Sequence, residues 1–277
     1  MNFKLAAFAD EADGRISEQI RAMKENDIKY LEIRGIDGKC IIELSKEEAK
    51  EVRRKLDDAG IEVWSIGSPY GKIGINDNFT PHLDSFKYSL ELAQILGTKH
   101  MRMFSFYVPS GEAEHYRDEV MSRLEQFISV AKGSGIILCH ENEKDIYGDI
   151  ASRCLEIYKE FPQLKAVFDP ANFIQCGQDT IKAWEMIAPY VEYMHIKDAV
   201  EDGTVVPAGK GIGNIPYLLR NYKGKVLTVE PHLSVFDGFE KLEAEEKTKM
   251  KYCYPSPRIA FDEAVNALKK VMGGECL

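Results

Sequence analysis

The sequence lacks the features that mark membrane, secreted and nucleic-acid-binding proteins. It contains no apolar run of the roughly 18 residues that a transmembrane helix needs, and no signal-peptide pattern opens it. Acidic residues outnumber basic ones by 45 to 36, and a net charge of −9 argues against binding to a nucleic-acid backbone. The six cysteines form no CxxC pair, which is typical of reduced thiols. We therefore expect a cytoplasmic protein that binds neither a membrane nor nucleic acid.

A glycine-rich phosphate loop and an interdomain linker are missing as well. The first apolar run, KLAAFAD, continues into the acidic segment 10–13 instead of a GxGxxG turn, which disfavours a doubly wound nucleotide-binding sheet. No stretch rich in Pro, Gly or Ser divides the 277 residues. The chain does contain short apolar runs that alternate with longer amphipathic segments, repeated eight times. This alternation predicts a single (β/α)8 TIM barrel that spans residues 1–277.

Local patterns predict how some of these elements begin, end and face. Ser45 followed by Glu48 is a capping box, which predicts the start of a helix, and Gly60 predicts its end. Trp64 alternates with its neighbours along a predicted strand, and we expect it to pack against the helices.

One insertion interrupts the alternation, at residues 233–257 between the eighth strand and the last helix. Its charged sequence, EKLEAEEKTKMK, is typical of a solvated surface. Its position directly after the eighth strand and its aromatic residues favour a lid or a subunit contact instead. Both interpretations stay open, and a homo-oligomer is compatible with the second.

Four successive predicted strands end on a side chain that can bind a metal. The residues are Glu141 in LCHENE, Asp169 in VFDPANF, His195 in YMHIKD and Glu230 in LTVEPHL. Alone, His195 would be an ordinary residue at the edge of a core, but the carboxyl ends of barrel strands meet at one mouth. Three crowded carboxylates repel one another unless a cation lies between them. Oxygen donors with one nitrogen suit Mn²⁺, Mg²⁺, Co²⁺ or Zn²⁺, so we expect one divalent metal ion.

These strand ends resemble the xylose-isomerase-like TIM-barrel superfamily, and its sugar-phosphate isomerase/epimerase group in particular. HIKD followed by PAGKGIGNIP is similar to the family's HxKD and GxG segments, and the similarity covers essentially the whole chain. The resemblance implies that Glu141, Asp169, His195 and Glu230 are metal ligands. It also implies that Glu141 and Glu230 act as acid and base on opposite faces of a sugar. The glycine segment is either a tight turn or a phosphate-binding turn, and we favour the tight turn.

The sequence departs from the family pattern at two positions. Asn172 stands where epimerases often have a histidine, and Lys210 stands where the glycine turn usually has an acidic residue. With Arg34, Arg102 and Lys197, these residues are candidates for substrate binding, because all five follow predicted strands at the same mouth. The few histidines disfavour the trinuclear zinc site of the endonuclease IV type.

The expected function is a metal-dependent sugar or sugar-phosphate isomerase or epimerase that transfers a proton through an enediolate. The alternative is a lyase that dehydrates a cyclic polyol or keto acid at the same metal site, as inosose dehydratase does. A non-catalytic carbohydrate-binding barrel is a third hypothesis, and the pair Glu141 and Glu230 argues against it. In each case the expected partner is a small sugar or polyol.

Overall fold

The protein folds as a closed barrel of eight parallel strands, as the sequence predicts. The computed structural model describes residues 3–235, 249 and 252–274. The strands are β1 (Lys4–Ala7), β2 (Tyr30–Ile33), β3 (Glu62–Gly67), β4 (His100–Met103), β5 (Ile137–Glu141), β6 (Lys165–Phe168), β7 (Val191–Ile196) and β8 (Val226–Val229). Each strand pairs in parallel with its neighbours in the sequence, and β1 pairs with β8 to close the barrel. All carboxyl ends of the strands therefore lie at one mouth.

Helices connect the strands and cover the outside of the barrel. They are α1 (Ile16–Glu25), α2 (Lys46–Asp58), α3 (Phe79–Leu96), α4 (Ala113–Ala131), α5 (Ala151–Glu160), α6 (Pro170–Gln175), α7 (Thr180–Ile187), α8 (Ile215–Asn221) and α9 (Pro257–Gly273). Two short hairpins, 35–40 and 198–206, extend from the ends of β2 and β7. Among the described residues, no helix is both long and apolar enough to cross a membrane.

The predicted capping box starts α2. The backbone N–H of Glu48 donates to Ser45 Oγ (3.2 Å), and the N–H of Ser45 donates to Glu48 Oε2 (2.8 Å). Gly60, with φ +70°, follows the last turn of the helix, in the left-handed region that glycine adopts without strain. The prediction of both ends of this helix is confirmed.

The prediction for Trp64 is wrong, because β3 contains a bulge. The register between β2 and β3 shifts by one residue after Leu31, so Ser65 pairs with Glu32 and Trp64 has no partner. The Trp64 indole therefore stacks on His100 with ring centroids 4.1 Å apart, and it meets the buried ring of Tyr193 edge to face. It fills the end of the barrel opposite the mouth.

Part of the insertion at 233–257 lies outside the described residues. These are residues 236–248 and 250–251, so the lid or subunit contact stays a prediction. Of the described part, Val235 and Tyr252 are exposed, and the N–H of Val205 donates to the carbonyl of Lys249 (2.8 Å).

Candidate metal centre

The four predicted metal ligands lie together at the mouth of the barrel. Glu141 ends β5, His195 lies in β7, and Asp169 and Glu230 directly follow β6 and β8. One ligand atom of each lies within 4.8 Å of those of the others, and no residue of the four is more than 2% exposed. The strands of the barrel are parallel and their carboxyl ends lie at one mouth, which brings these four side chains together. We call this group the four-residue cluster.

His195 presents one ring nitrogen to the cluster and the other to Glu32. Its Nδ1 lies 2.8 Å from Glu141 Oε1 and 3.3 Å from Glu230 Oε2. Its Nε2 lies 3.1 Å from Glu32 Oε2, and Glu32 also accepts from the Tyr193 hydroxyl (2.7 Å). A histidine that binds a metal through one nitrogen usually donates from the other to a carboxylate. Nδ1 is therefore the nitrogen positioned to bind a metal.

Glu32, the penultimate residue of β2, is not among the predicted metal ligands or substrate-binding residues. It is fully buried, and it also accepts a hydrogen bond from Thr228 Oγ1 (2.8 Å). The available signal was an acidic residue near the end of a predicted strand, in LEIRG.

Two basic side chains compensate the negative charge of the cluster. Arg102 Nη1 donates to Glu141 Oε2 (2.7 Å), and Lys197 Nζ lies 3.1 Å from Asp169 Oδ2 and 3.2 Å from Glu230 Oε2. All five side chains are nearly inaccessible to solvent. Buried charges of this kind are tolerated only when they are paired.

The pKa values of the carboxyl groups follow from burial and these neighbours. Burial raises the pKa of Asp169 to about 7, against the opposing effect of Lys197. For Glu141, burial also raises the pKa, but His195 and Arg102 outweigh it and the pKa is lowered to about 2. The pKa of Glu230 is well below its usual value, because Lys197 and His195 oppose the effect of burial. Glu141 and Glu230 are thus ionised at neutral pH.

The cluster fits a divalent metal ion. Asp169 Oδ2 is buried and accepts no hydrogen bond from the described residues, and its charged neighbour is the Lys197 ammonium at 3.1 Å. Asp169 Oδ1 accepts from the backbone N–H of Asn172 (2.9 Å), so Oδ2 is the oxygen that would bind a metal ion. Crowded carboxylates with an imidazole nitrogen form a donor set that Mn²⁺, Mg²⁺, Co²⁺ and Zn²⁺ accept.

Asn172, predicted to bind substrate, holds parts of the cluster. Its Nδ2 donates to the carbonyl of Asn142 (2.9 Å) and lies 3.4 Å from Glu141 Oε1. Asn142 in turn exchanges two hydrogen bonds of 2.9 Å with the backbone of Asp169. This amide pair fixes the ends of β5 and β6 relative to each other.

Arg34 lies beside the cluster in a second group of charged side chains. Its guanidinium donates to Asp10 Oδ2 (2.8 Å) and Glu11 Oε1 (3.2 Å), and it lies 3.5 Å from Glu230 Oε1. His232 Nε2 lies 3.4 Å from Glu11 Oε1. Burial raises the pKa of Glu11 to about 8, partly offset by Arg34.

Sequence reasoning missed this second group. Glu11, Glu230 and His232 have ligand atoms close enough to hold a metal ion, but the guanidinium of Arg34 already supplies a positive charge beside them. His232 lies two residues beyond Glu230, and this spacing after a strand end was the available signal.

The structure does not bring Lys210 to the cluster. Its ammonium pairs with Glu263 of α9 (3.5 Å), and both side chains are 38% exposed. The reason lies in the glycine turn, which folds around the carboxylate of Asp198 and directs its intervening residues outward. Substrate binding by Lys210 has no support from this position.

The comparisons with known proteins agree with this fold. A sequence profile of the xylose isomerase-like TIM barrel family matches residues 20–234, so the chain belongs to this family. A search of curated proteins finds no match.

Solved structures with a similar fold have low sequence identity to this chain. The probable 3-DHS dehydratase AsbF of Bacillus anthracis is 15% identical, with a TM-score of 0.74 over 97% of this chain and 99% of that one. A D-tagatose 3-epimerase-like protein is 16% identical, with a TM-score of 0.73 over 98% of both chains. The IOLI protein, crystallised with zinc, is 14% identical, with a TM-score of 0.73 over 98% of this chain and 99% of that one. These neighbours include enzymes of different reactions, and their likeness concerns the fold.

Proposed function

We propose that the protein is a divalent-metal-dependent isomerase or epimerase of a sugar that transfers a proton beside a carbonyl group. The observation that carries the proposal is a pair of buried carboxylates in one cluster, Glu141 and Glu230, each in contact with a basic side chain. The substrate is a small sugar or polyol. A protein that only binds sugars needs no such pair.

Glu141, Asp169, Glu230 and His195 Nδ1 would hold the metal ion. When bound, the ion polarises the carbonyl and a neighbouring hydroxyl of the substrate. Glu32 keeps the His195 ring oriented, and the amide pair of Asn142 and Asn172 keeps Asp169 in place.

Glu141 and Glu230 carry out the proton transfer. One ionised carboxylate removes the proton from the carbon beside the carbonyl, which gives an enediolate and a neutral carboxylic acid. The other carboxyl group, once it has taken up a proton from water, returns a proton to the same carbon from the other face, or the acid just formed returns its own proton to the adjacent carbon. The first outcome is epimerisation and the second is isomerisation. Arg102 and Lys197 hold these carboxylates in position.

Solvent exchange tests this mechanism. With a panel of ketoses, aldoses and inososes in D₂O and with Mn²⁺, Mg²⁺ or Co²⁺ supplied, we expect deuterium at the reacting carbon. Glu141→Gln and Glu230→Gln should each lower the rate by roughly 10²–10⁴-fold, the usual contribution of general acid–base catalysis. Glu263→Gln, at the surface, is the control and should exchange at the normal rate. Turnover without solvent deuterium, with both cluster variants still active, would exclude proton transfer.

Dehydration is the second candidate reaction, and the similarity in fold to a probable 3-DHS dehydratase supports it. The first step, proton removal beside a carbonyl, is the same. The carboxylic acid formed in this step then donates its proton to a hydroxyl group on the next carbon, which leaves as water, and a carbon–carbon double bond forms. A product lighter by one water, with a new ultraviolet chromophore, would identify this reaction in the same panel.

A further inference from the structure

We infer that the substrate is uncharged, an unphosphorylated sugar or polyol, and this inference rests on the proposed function. The mouth of the barrel has two places where a phosphate group would find partners: the glycine turn after β7 and the basic side chains around the cluster. In both places a carboxylate of the protein already accepts the hydrogen bonds or forms the ion pairs that a phosphate group would make.

The glycine turn is folded around Asp198. The backbone N–H groups of Gly209, Gly211 and Gly213 donate to its carboxylate at 2.9, 3.0 and 2.9 Å. These are the amides that many barrels use to bind phosphate after the seventh strand. A Cβ atom on Gly211 would lie 2.3 Å from the carbonyl oxygen of Ala199, so the turn is closed tightly over its own carboxylate.

The basic side chains of the mouth are engaged in the same way. Arg34, Arg102 and Lys197 contact the carboxylates described above, and Lys72, at the rim, lies 3.1 Å from Glu143. Both members of this rim pair are mostly buried, at 10% and 16% exposed. A phosphate that recruited one of these cations would leave a buried carboxylate without its partner, which is strongly unfavourable.

The mouth also has no excess of positive charge that an anionic substrate would neutralise. The basic side chains Arg34, Lys72, Arg102 and Lys197 face the carboxylates Asp10, Glu11, Glu141, Glu143, Asp169 and Glu230. One divalent ion offsets the excess of two carboxylates, and Glu32, which accepts from the neutral His195 ring, adds a further negative charge. A phosphate ester would add two negative charges to a site that has no excess of positive charge. Hydroxyl groups add none, and they can share hydrogen bonds with paired side chains.

The rim pair offers a way to alter this preference without touching the cluster. Glu143→Gln removes the negative charge beside Lys72, and the Lys72 ammonium, which also lies 4.5 Å from the centre of the Phe104 ring, keeps its place at the mouth. Glu263→Gln is the matched control, since it removes the carboxylate beside Lys210 outside the mouth.

Calorimetric titration of the manganese-loaded protein tests the inference with D-fructose, D-tagatose and D-ribulose, each paired with its phosphate ester. We expect a neutral ketose to bind at least about tenfold more tightly than its ester, a difference that titration resolves readily. Glu143→Gln should lower the ratio of the affinity for the ketose to that for its ester by about threefold. Glu263→Gln should leave this ratio unchanged. An ester that binds the wild-type protein as tightly as its neutral partner would overturn the inference, as would a panel in which no neutral ketose binds.

Deuterium exchange of the bound ketose is scored separately in the same samples. Preferential binding of the neutral ketose without exchange would contradict the proposed function and leave the charge preference intact.

Discussion

The His195 imidazole is held from both sides by carboxylates, and only one side faces the cluster. We predict that Glu32→Gln lowers the affinity for Mn²⁺ by about 10–100-fold, the usual effect of losing the carboxylate behind a ligating histidine. The physical reason is that Glu32 fixes the ring and strengthens Nδ1 as a ligand through its contact with Nε2.

Glu192→Gln is the matched control for this measurement. Glu192 also lies in β7 and contacts a histidine, His100, at 3.1 Å, but at the opposite end of the barrel. Calorimetry should give the wild-type affinity for this variant. Equal affinities of the Glu32 and Glu192 variants would show that Glu32 does not support a metal ligand.

His82 makes the stability of the protein depend on pH. Burial, with a smaller effect of Arg123, lowers its pKa to about 4, and its Nε2 accepts a hydrogen bond from the N–H of Gly71 (2.9 Å). The pKa of His82 in the folded state lies below its unfolded value of about 6.5. The stabilising contribution of the neutral imidazole is therefore complete above pH 6.5 and decreases as the pH falls towards 4. After allowance for partial exposure, we expect a loss of roughly 1–2 kcal/mol in the free energy of unfolding.

Urea unfolding at pH 7 and pH 4.5 measures this loss. His82→Gln keeps an acceptor for Gly71 without a titrating group, and its stability should fall less between the two pH values. His115→Gln, at an exposed position, should behave as the wild type does. If the free energy of unfolding changed equally with pH in all three proteins, His82 would not be the source of this loss of stability.

Among the elements, the glycine turn after β7 leaves no room for a side chain at Gly211. We predict that Gly211→Ala lowers the free energy of unfolding by about 1–3 kcal/mol, because the new methyl group would meet backbone and carboxylate oxygens. Gly273→Ala, where nothing lies within 4 Å, should be neutral or slightly stabilising in the same urea titration. A Gly211 variant as stable as the wild type would mean that the turn can open.

The elements also show which features of the fold could be predicted from the sequence. The alternation of apolar runs and amphipathic segments was enough to predict eight parallel strands, because one barrel buries every strand on both sides. It failed at Trp64, since a bulge of one residue reverses the faces of a strand and leaves no mark in the pattern. The juxtaposition of Glu141, Asp169, His195 and Glu230 followed from topology alone. The contacts of Glu32, Glu11 and His232 did not, because they depend on which rotamer each buried side chain adopts.

For the whole molecule, we expect metal binding to raise the Tm of thermal unfolding. A ligand that binds only the folded state at 100 times its Kd adds about 2.7 kcal/mol, which for a chain of this size corresponds to a rise in Tm of several degrees. We expect this rise with Mn²⁺ and its absence in His195→Ala and Asp169→Ala. Elemental analysis should give one ion per wild-type chain. Full occupancy in both variants would exclude the proposed ligands.

The closing seam of the barrel sets the order in which the four-residue cluster can assemble. Strand β1 pairs with β2 at two positions, Ala6 with Tyr30 and Ala7 with Leu31, but with β8 along all of Lys4–Ala7. Its main partner is therefore the last of the eight barrel strands to be synthesised, and Glu230 directly follows that strand. Until then the chain carries two open sheet edges and an incomplete four-residue cluster. A chain shortened before residue 226 would thus lack both the main partner of β1 and Glu230, and we expect it not to assemble the four-residue cluster.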